Sequence, residues 1–147
     1  MLGAIAQVAD AGMNMLRLSG TMVYPNDALL DLCDARGVMV WHDFMFANMD
    51  YPDGDPGFCD MVDREVQQHL ARLQGRACVT VLCGNSEGEQ QAAMWGASRD
   101  PLGVAPVLRA HRGACRRHCP DVPYVPSSAT GARFHIRGTW GHRRTTE

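Results

Sequence analysis

Glu87 is the residue whose type and position best suit general acid–base chemistry. It follows Val79–Cys83, a largely apolar and partly β-branched run that predicts a buried strand. Gly84 ends that run, and Asn85 and Ser86 precede the glutamate. In parallel sheets covered by helices, chemistry takes place just past the carboxyl ends of the strands. Glu87 is therefore a candidate acid or base, the alternative being an ordinary glutamate in a solvated loop.

Polar side chains also follow three other apolar runs. These clusters are Arg17 to Ser19, Trp41 to Asp43, and Ser127 with Ser128. If the runs are parallel strands of a barrel, all four clusters lie on one rim. An indole stacks on the apolar face of a sugar ring, while carboxylates and amides bind its hydroxyls. The pattern predicts a pocket for a polar, ring-shaped ligand.

Glycoside hydrolysis is a reaction that such a pocket supports. It needs two carboxyl groups, about 5–5.5 Å apart for retention of configuration and roughly 6.5–9.5 Å apart for inversion. One must stay protonated near neutral pH, which requires apolar or like-charged surroundings. Within this sequence, Asp43 on the neighbouring predicted strand is one candidate partner for Glu87.

Helices and strands are predicted to alternate along the chain. Asn26 is a predicted helix cap, with Leu29, Leu32 and Cys33 on the apolar face and Gly37 after the last turn. Asp55 and Pro56 begin a long helix that Gly75 ends. The predicted helices are at 4–11, 26–37, 55–75 and 104–119, and the predicted strands are at 13–18, 38–41, 79–83 and 123–126. Residues 90–95 are either a short helix or an ordered loop.

This alternation predicts the α/β class, with a parallel sheet and right-handed crossovers. The long helix has an apolar face that includes Phe58, Met61, Val62, Val66 and His69, and we expect His69 to be a core or boundary residue rather than a ligand. The first strand is not followed by a glycine-rich turn, so neither a dinucleotide site nor a P-loop is supported.

The composition is that of a globular protein. Of the 147 residues, 46% are hydrophobic and 20% are charged. No apolar run reaches the roughly 20 residues needed to cross a bilayer, and residues 1–7 do not have the pattern of a signal peptide. We therefore expect a cytoplasmic protein without a membrane partner, whose six cysteines are reduced thiols.

The charge changes sign along the chain. Residues 1–100 contain 6 Arg and 14 acidic residues, whereas residues 101–147 contain 8 Arg and 2 acidic residues. A basic end is one mark of nucleic-acid binding, but this one lacks the interleaved aromatic residues of a single-strand site. We expect no nucleic-acid partner and an irregular C-terminal tail at 129–147.

Four sequence blocks in order resemble glycoside hydrolase family 2, and the β-mannosidase-like branch in particular. They are AGMNMLR at 11–17, DLCD at 31–34, VWHDFMFA at 40–47 and CGNSE at 83–87. The resemblance covers about residues 8–96, and residues 121–128 agree more loosely.

The resemblance implies part of a (β/α)8 TIM barrel, retaining hydrolysis of a β-mannoside-like glycoside, and no metal or other cofactor. Glu87 matches the acid/base of the family. Trp41 and Asp43 match the block that lines the sugar subsite, and Arg17 matches an arginine near the base of the pocket. Asn85 and Ser86 complete the expected substrate-binding set. Residues 1–128 would form about half of the catalytic barrel, in a parent chain that also carries β-sandwich domains.

The sequence departs from the family pattern at three places. The family commonly has Asn before the acid/base, where this chain has Ser86 with Asn85 one position earlier. His42 stands where the mannosidase block usually has Gln. The nucleophile of the family is a glutamate on a later strand, but the only glutamate after Glu89 is Glu147, which has no supporting motif. We expect that the chain alone does not hydrolyse mannosides.

Two other functions remain open from the sequence. The same polar clusters could bind carbohydrate without turnover. A Cys/His metal site is the other alternative, on His111, Cys115, His118 and Cys119, although their spacing lacks the paired pattern of structural zinc sites.

Overall fold

The computed structural model describes residues 2–48, 51–52, 54–88 and 104–128. Helices and strands alternate throughout these residues, which confirms the predicted α/β class. The segment 90–95, predicted as a short helix or ordered loop, and the predicted tail at 129–147 lie outside the described residues. The elements are α1 (Leu2–Asp10), β1 (Met15–Leu18), α2 (Asp27–Arg36), β2 (Met39–Asp43), α3 (Pro56–Leu73), β3 (Val79–Cys83), α4 (Val104–His118) and β4 (Tyr124–Val125).

The described strands form one parallel sheet in the order β1-β2-β3-β4. The register places Arg17 beside Trp41, Asp43 beside Cys83, and Cys83 beside Val125. A parallel bridge between Ala47 and Ser86 continues the contact of β2 and β3 beyond the strands themselves. Because each neighbouring pair is parallel, the carboxyl ends of the four described strands lie at one edge of the sheet.

Local capping interactions explain where α2 and α3 begin and end. The Asn26 side chain accepts a hydrogen bond from the Leu29 amide at 3.0 Å, and Gly37 has a left-handed φ of 65°. The Asp55 side chain accepts from the Gly57 amide at 2.8 Å, and Pro56 occupies the first helical position. These caps confirm the predicted helix starts, because side-chain oxygens satisfy amides that have no partner in the helix.

The packing differs from the predicted apolar faces on two helices, α2 and α3. On α2, Leu30 is buried together with Cys33, whereas Leu29 and Leu32 are only half-buried. On α3, Met61 is 51% exposed, so its predicted place on the buried face is wrong. Val62, which is on the same predicted face, is buried as expected. Helical period alone identifies a stripe, but the neighbouring elements decide which edge of the stripe they cover.

Strand β2 extends two residues further than predicted and includes His42 and Asp43. Successive side chains of a strand point to opposite faces, so these two residues face different surroundings. His42 Nε2 lies 2.5 Å from Nε2 of His69 on α3, while Asp43 contacts Arg17. His69 is 3% exposed, which confirms that it is a core residue.

The histidines of this core are held neutral by their surroundings. The Tyr24 ring stacks on the His69 ring at 3.9 Å, and the His111 ring stacks on Phe44 at 4.7 Å. Burial lowers the pKa of His42 to about 4 and that of His111 to about 4. The pKa of His69 falls to about 3 because of burial, and the charges of His42 and Arg72 add to the shift.

Among the described residues, no helix is both long and apolar enough to cross a membrane.

Gly20 lies where the chain leaves β1 and passes against the backbone that follows β2. A Cβ atom at this position would lie 2.6 Å from the Phe44 carbonyl oxygen and 2.9 Å from that of Phe46. These are backbone atoms that cannot rotate away, so only glycine fits here. The close approach brings the loop after β1 against the loop after β2.

The stability of the chain is expected to fall as the pH drops from 6.5 towards 4. An unfolded histidine titrates near pH 6.5, so the unfolded state binds more protons than the folded state in this window. Three neutral histidines correspond to about 4 kcal/mol per pH unit near pH 5. Urea unfolding at a series of pH values measures the slope. His111→Phe should reduce it by about one third, and an unchanged slope would contradict the assignment of a neutral His111.

Gly20→Ala is expected to destabilise the fold by about 1–3 kcal/mol, the usual range for forcing extra atoms into a packed site. Gly113→Ala in α4 is the matched control, because its new Cβ would meet only the end of the Arg117 side chain at 3.5 Å. Helix propensity predicts that this control gains up to about 1 kcal/mol. Equal urea midpoints for the two variants would show that Gly20 is not a close-packed position.

Candidate active site

Asp43 is a fully buried carboxylate at the end of β2, and both of its oxygens are occupied. Arg17 donates to Oδ2 from Nε at 3.1 Å and from Nη2 at 2.7 Å. Trp41 donates to Oδ1 from Nε1 at 2.8 Å. A buried carboxylate is costly unless it is paired and hydrogen-bonded. The pair raises the pKa of Arg17, chiefly through its hydrogen bond to Asp43.

Arg17 connects the ends of all four described strands. From β1, its Nη2 reaches Asp43 on β2, the Ser86 hydroxyl after β3 at 2.9 Å and the Ser128 hydroxyl after β4 at 2.6 Å. The Ser19 hydroxyl lies 3.3 Å from that of Ser86. The four predicted polar clusters therefore lie together at one edge of the sheet. We call this group Arg17, Asp43, Ser86 and Ser128 the arginine cluster.

Glu87 directly follows Ser86 of the arginine cluster in the chain. Its charge is the last of several contributions to the raised pKa of Arg17, after the hydrogen bond to Asp43. The side chain is half-buried, and the backbone has a φ of 63°. A left-handed conformation is uncommon for a residue other than glycine, and such conformations concentrate at active sites.

The remaining predicted site residues occupy different positions around Glu87. Trp41 is half-buried, with its indole nitrogen turned to Asp43. Asn85 is 1% exposed and Ser86 is 2% exposed, and the described hydrogen bonds of both side chains are to protein groups. Of the predicted site residues, Arg17, Trp41 and Glu87 are thus the ones whose side chains are partly exposed to solvent at this edge.

Two residues at this edge were not identified as part of the site from the sequence. Thr21 has its hydroxyl 3.1 Å from that of Ser19, and Gly20 lies between them in the chain. The signal was present in the sequence, since Ser19-Gly20-Thr21 directly follows β1. A glycine just past a strand often marks a close approach of another backbone segment.

The structure gives no support to the alternative metal site. Among the described residues, no three His, Cys, Asp or Glu side chains are arranged to hold a metal ion. The His111 ring packs against those of Phe44 and Phe46, and His118 Nε2 hydrogen-bonds to Gln67 at 2.8 Å. Cys115 and Cys119 are buried thiols whose pKa values are raised by burial, which disfavours the thiolate that a metal requires.

Comparison with known proteins finds relatives of one kind. No family model matches the chain. β-Mannosidase from Rattus norvegicus is 42% identical over 85 residues, which are 58% of this chain and 10% of that protein. β-Mannosidase B from Thermothelomyces thermophilus is 32% identical over 138 residues, covering 85% of this chain and 16% of that protein.

The fold is similar to that of a solved enzyme from the same group. The crystal structure of β-D-mannosidase from Dictyoglomus thermophilum matches with a TM-score of 0.82 and 35% identity, over 88% of this chain and 16% of that one. This chain thus spans only 10% to 16% of the length of these proteins. Over the segment that it shares with them, the chain is a β-mannosidase-like sequence of glycoside hydrolase family 2.

Proposed function

We propose that this chain provides the acid/base side of the catalytic centre of a retaining, β-mannosidase-like glycoside hydrolase. In this proposal residues 1–128 are part of a (β/α)8 barrel, and residues 129–147 are a tail outside it. Parallel strands in sequential order, each separated from the next by a helix, are the repeating unit of such a barrel. Cytoplasmic localisation stays a prediction.

The observation that carries the proposal is that Glu87 follows Ser86, whose hydroxyl accepts from Arg17 at the edge where the strand ends meet. The catalytic residues of β/α barrels come from the carboxyl ends of several strands. Here Glu87 follows β3, and the ends of β1, β2 and β4 meet beside it through Arg17. We assign to Glu87 the protonation of the leaving glycosidic oxygen and, in the second step, the activation of water.

The neighbouring residues form one wall of the proposed sugar site. Trp41 provides an aromatic face, and Arg17 is 40% exposed at the same edge, where its guanidinium can donate to a sugar hydroxyl. Asp43 fixes the orientation of both groups, since it accepts from Trp41 Nε1 and from Arg17. Asn85 and Ser86 complete the wall by holding the segment before Glu87.

Retaining hydrolysis requires a second carboxylate as nucleophile. Asp43 does not suit this role, because it is 0% exposed and its oxygens already accept hydrogen bonds from Arg17 and Trp41. This argues against the alternative in which Asp43 and Glu87 form the catalytic pair. The only glutamate after Glu89 is Glu147, which has no supporting motif, so we propose that the nucleophile lies outside these 147 residues.

The second candidate function is carbohydrate binding without turnover. The same half-buried Trp41 and the same exposed Arg17 favour it, because neither contact requires a nucleophile. The two functions differ in whether Glu87 takes part, and this difference can be measured without turnover.

The chain alone is expected to release no 4-nitrophenol from 4-nitrophenyl β-mannoside above the rate of a buffer blank. The reason is the missing nucleophile, without which only the acid is in place. Spectrophotometry at 405 nm, a conventional wavelength for nitrophenolate, measures the release. Turnover that disappears in Glu87→Gln would contradict this expectation and would require a nucleophile within the 147 residues.

Glu87 is expected to recognise a ligand that carries a basic nitrogen in place of the glycosidic oxygen. A mannose-derived imidazole has this property, so the wild-type chain should bind it at least about tenfold more tightly than mannose, a preference of about 1.4 kcal/mol. Glu87→Gln should remove the preference, because the amide cannot form the charge-assisted hydrogen bond. Titration calorimetry measures both ligands.

Glu65→Gln is the matched control for this experiment. Glu65 lies on α3 and accepts a hydrogen bond from the Tyr24 hydroxyl at 2.7 Å, so its substitution should leave the preference unchanged. Equal binding of mannose and the imidazole by the wild-type chain would favour the non-catalytic alternative. Binding of neither ligand would rule out a sugar site on the chain as it stands.

A further inference from the structure

The backbone at Glu87 has a conformation that residues other than glycine rarely adopt. Its φ of 63° lies in the left-handed region, where the Cβ of an L-residue crowds the following carbonyl oxygen. The residue after it is Gly88, which could have taken the turn more easily. The surrounding structure must therefore impose the conformation on the glutamate.

The Asn85 side chain makes the contacts that can impose it. Its Oδ1 accepts a hydrogen bond from the Gly88 amide at 3.0 Å, which closes a turn around Glu87. The same oxygen accepts from the Ser127 hydroxyl at 3.3 Å, and Nδ2 donates to the Pro126 carbonyl at 3.2 Å. One buried amide thus bonds to both the glutamate turn and the segment after β4.

The residues before Glu87 are also fixed by the backbone on both sides. The Ser86 amide donates to the Phe46 carbonyl at 2.8 Å, and the Ser128 amide donates to the Asn85 carbonyl at 3.0 Å. Since the chain is held at Asn85 and Ser86 and the side chain of Asn85 holds Gly88, Glu87 is the residue left to make the turn. Its left-handed conformation follows from this geometry.

We propose that Asn85 is a positioning residue that holds Glu87 in its left-handed conformation beside the arginine cluster. Its amide is 1% exposed, and both polar atoms bond to protein groups, which suits orientation of a neighbour rather than contact with substrate. The value of this positioning for acid–base chemistry rests on the proposed function. The structural coupling between Asn85 and Glu87 does not.

A double-mutant cycle on stability tests the coupling. Glu87→Gly should lower the equilibrium constant for unfolding about fivefold, because glycine removes the cost of the left-handed conformation. In an Asn85→Ala background the turn can relax, so the same substitution should lower the constant by about twofold or less. Urea unfolding of the four chains measures all the constants, and an equal fivefold gain in both backgrounds would overturn the proposal.

Two further variants distinguish a specific role of Asn85 from a general loss of stability. Asn26→Ala removes another asparagine acceptor, the cap of α2, and in this background Glu87→Gly should keep its full gain. Asn85→Asp keeps the oxygen that faces Gly88 and Ser127, so it should preserve the gain even if Asn85→Ala does not fold. If Glu87→Gly no longer stabilises the chain in the Asn26→Ala background, or in the Asn85→Asp background, a specific role of the Asn85 oxygen is contradicted.

A spectroscopic measurement reports the conformation directly. The one-bond coupling between Cα and Hα of Glu87 differs between negative and positive φ, and it should change in Asn85→Ala but not in Asn26→Ala. An unchanged coupling in folded Asn85→Ala would overturn the proposal. Neither this measurement nor the stability cycle uses a sugar. The positioning role of Asn85 is therefore tested independently of the proposed function, and either can be disproved while the other stands.

Discussion

The pairing of Arg17 with the buried carboxylate of Asp43 is the interaction on which the edge of the sheet depends. A carboxylate with no exposed surface is stable only when its charge is matched and its oxygens are bonded. Arg17 meets both needs, and it also donates to the hydroxyls of Ser86 and Ser128. The need to compensate one buried charge therefore brings the ends of four strands into a fixed relation.

The side chains of strand β2 alternate between two faces that have different chemical surroundings. On one face, His42 packs with His69 and Tyr24, where burial keeps the rings neutral. On the other face, Asp43 is charged and paired with Arg17. Because successive side chains of a strand point in opposite directions, adjacent residues can serve the core and the proposed sugar site. The charged groups of this site are thereby kept apart from the apolar packing of α3 and α4.

Much of the fold follows from local features that are visible in the sequence. The caps at Asn26 and Asp55, the glycine at Gly37 and the apolar run of β3 each depend on a few neighbouring residues, and the structure has each of them as predicted. The order of the elements then implies the parallel sheet and the common edge, since crossover connections leave few arrangements. Glu87 is a candidate for the same reason, because a polar residue just past a buried strand can be identified without tertiary information.

The sequence by itself determined the elements, their order and the residue types that gather at one edge. Only the tertiary structure decided which partner each polar group takes, because partners such as Arg17 and Ser128 are far apart in the chain. The same reason applies to the exposure of Met61, the tight contact at Gly20 and the three hydrogen bonds of Asn85. Each of these depends on how separate segments pack, and hydrophobic period and local propensity contain no information about that packing.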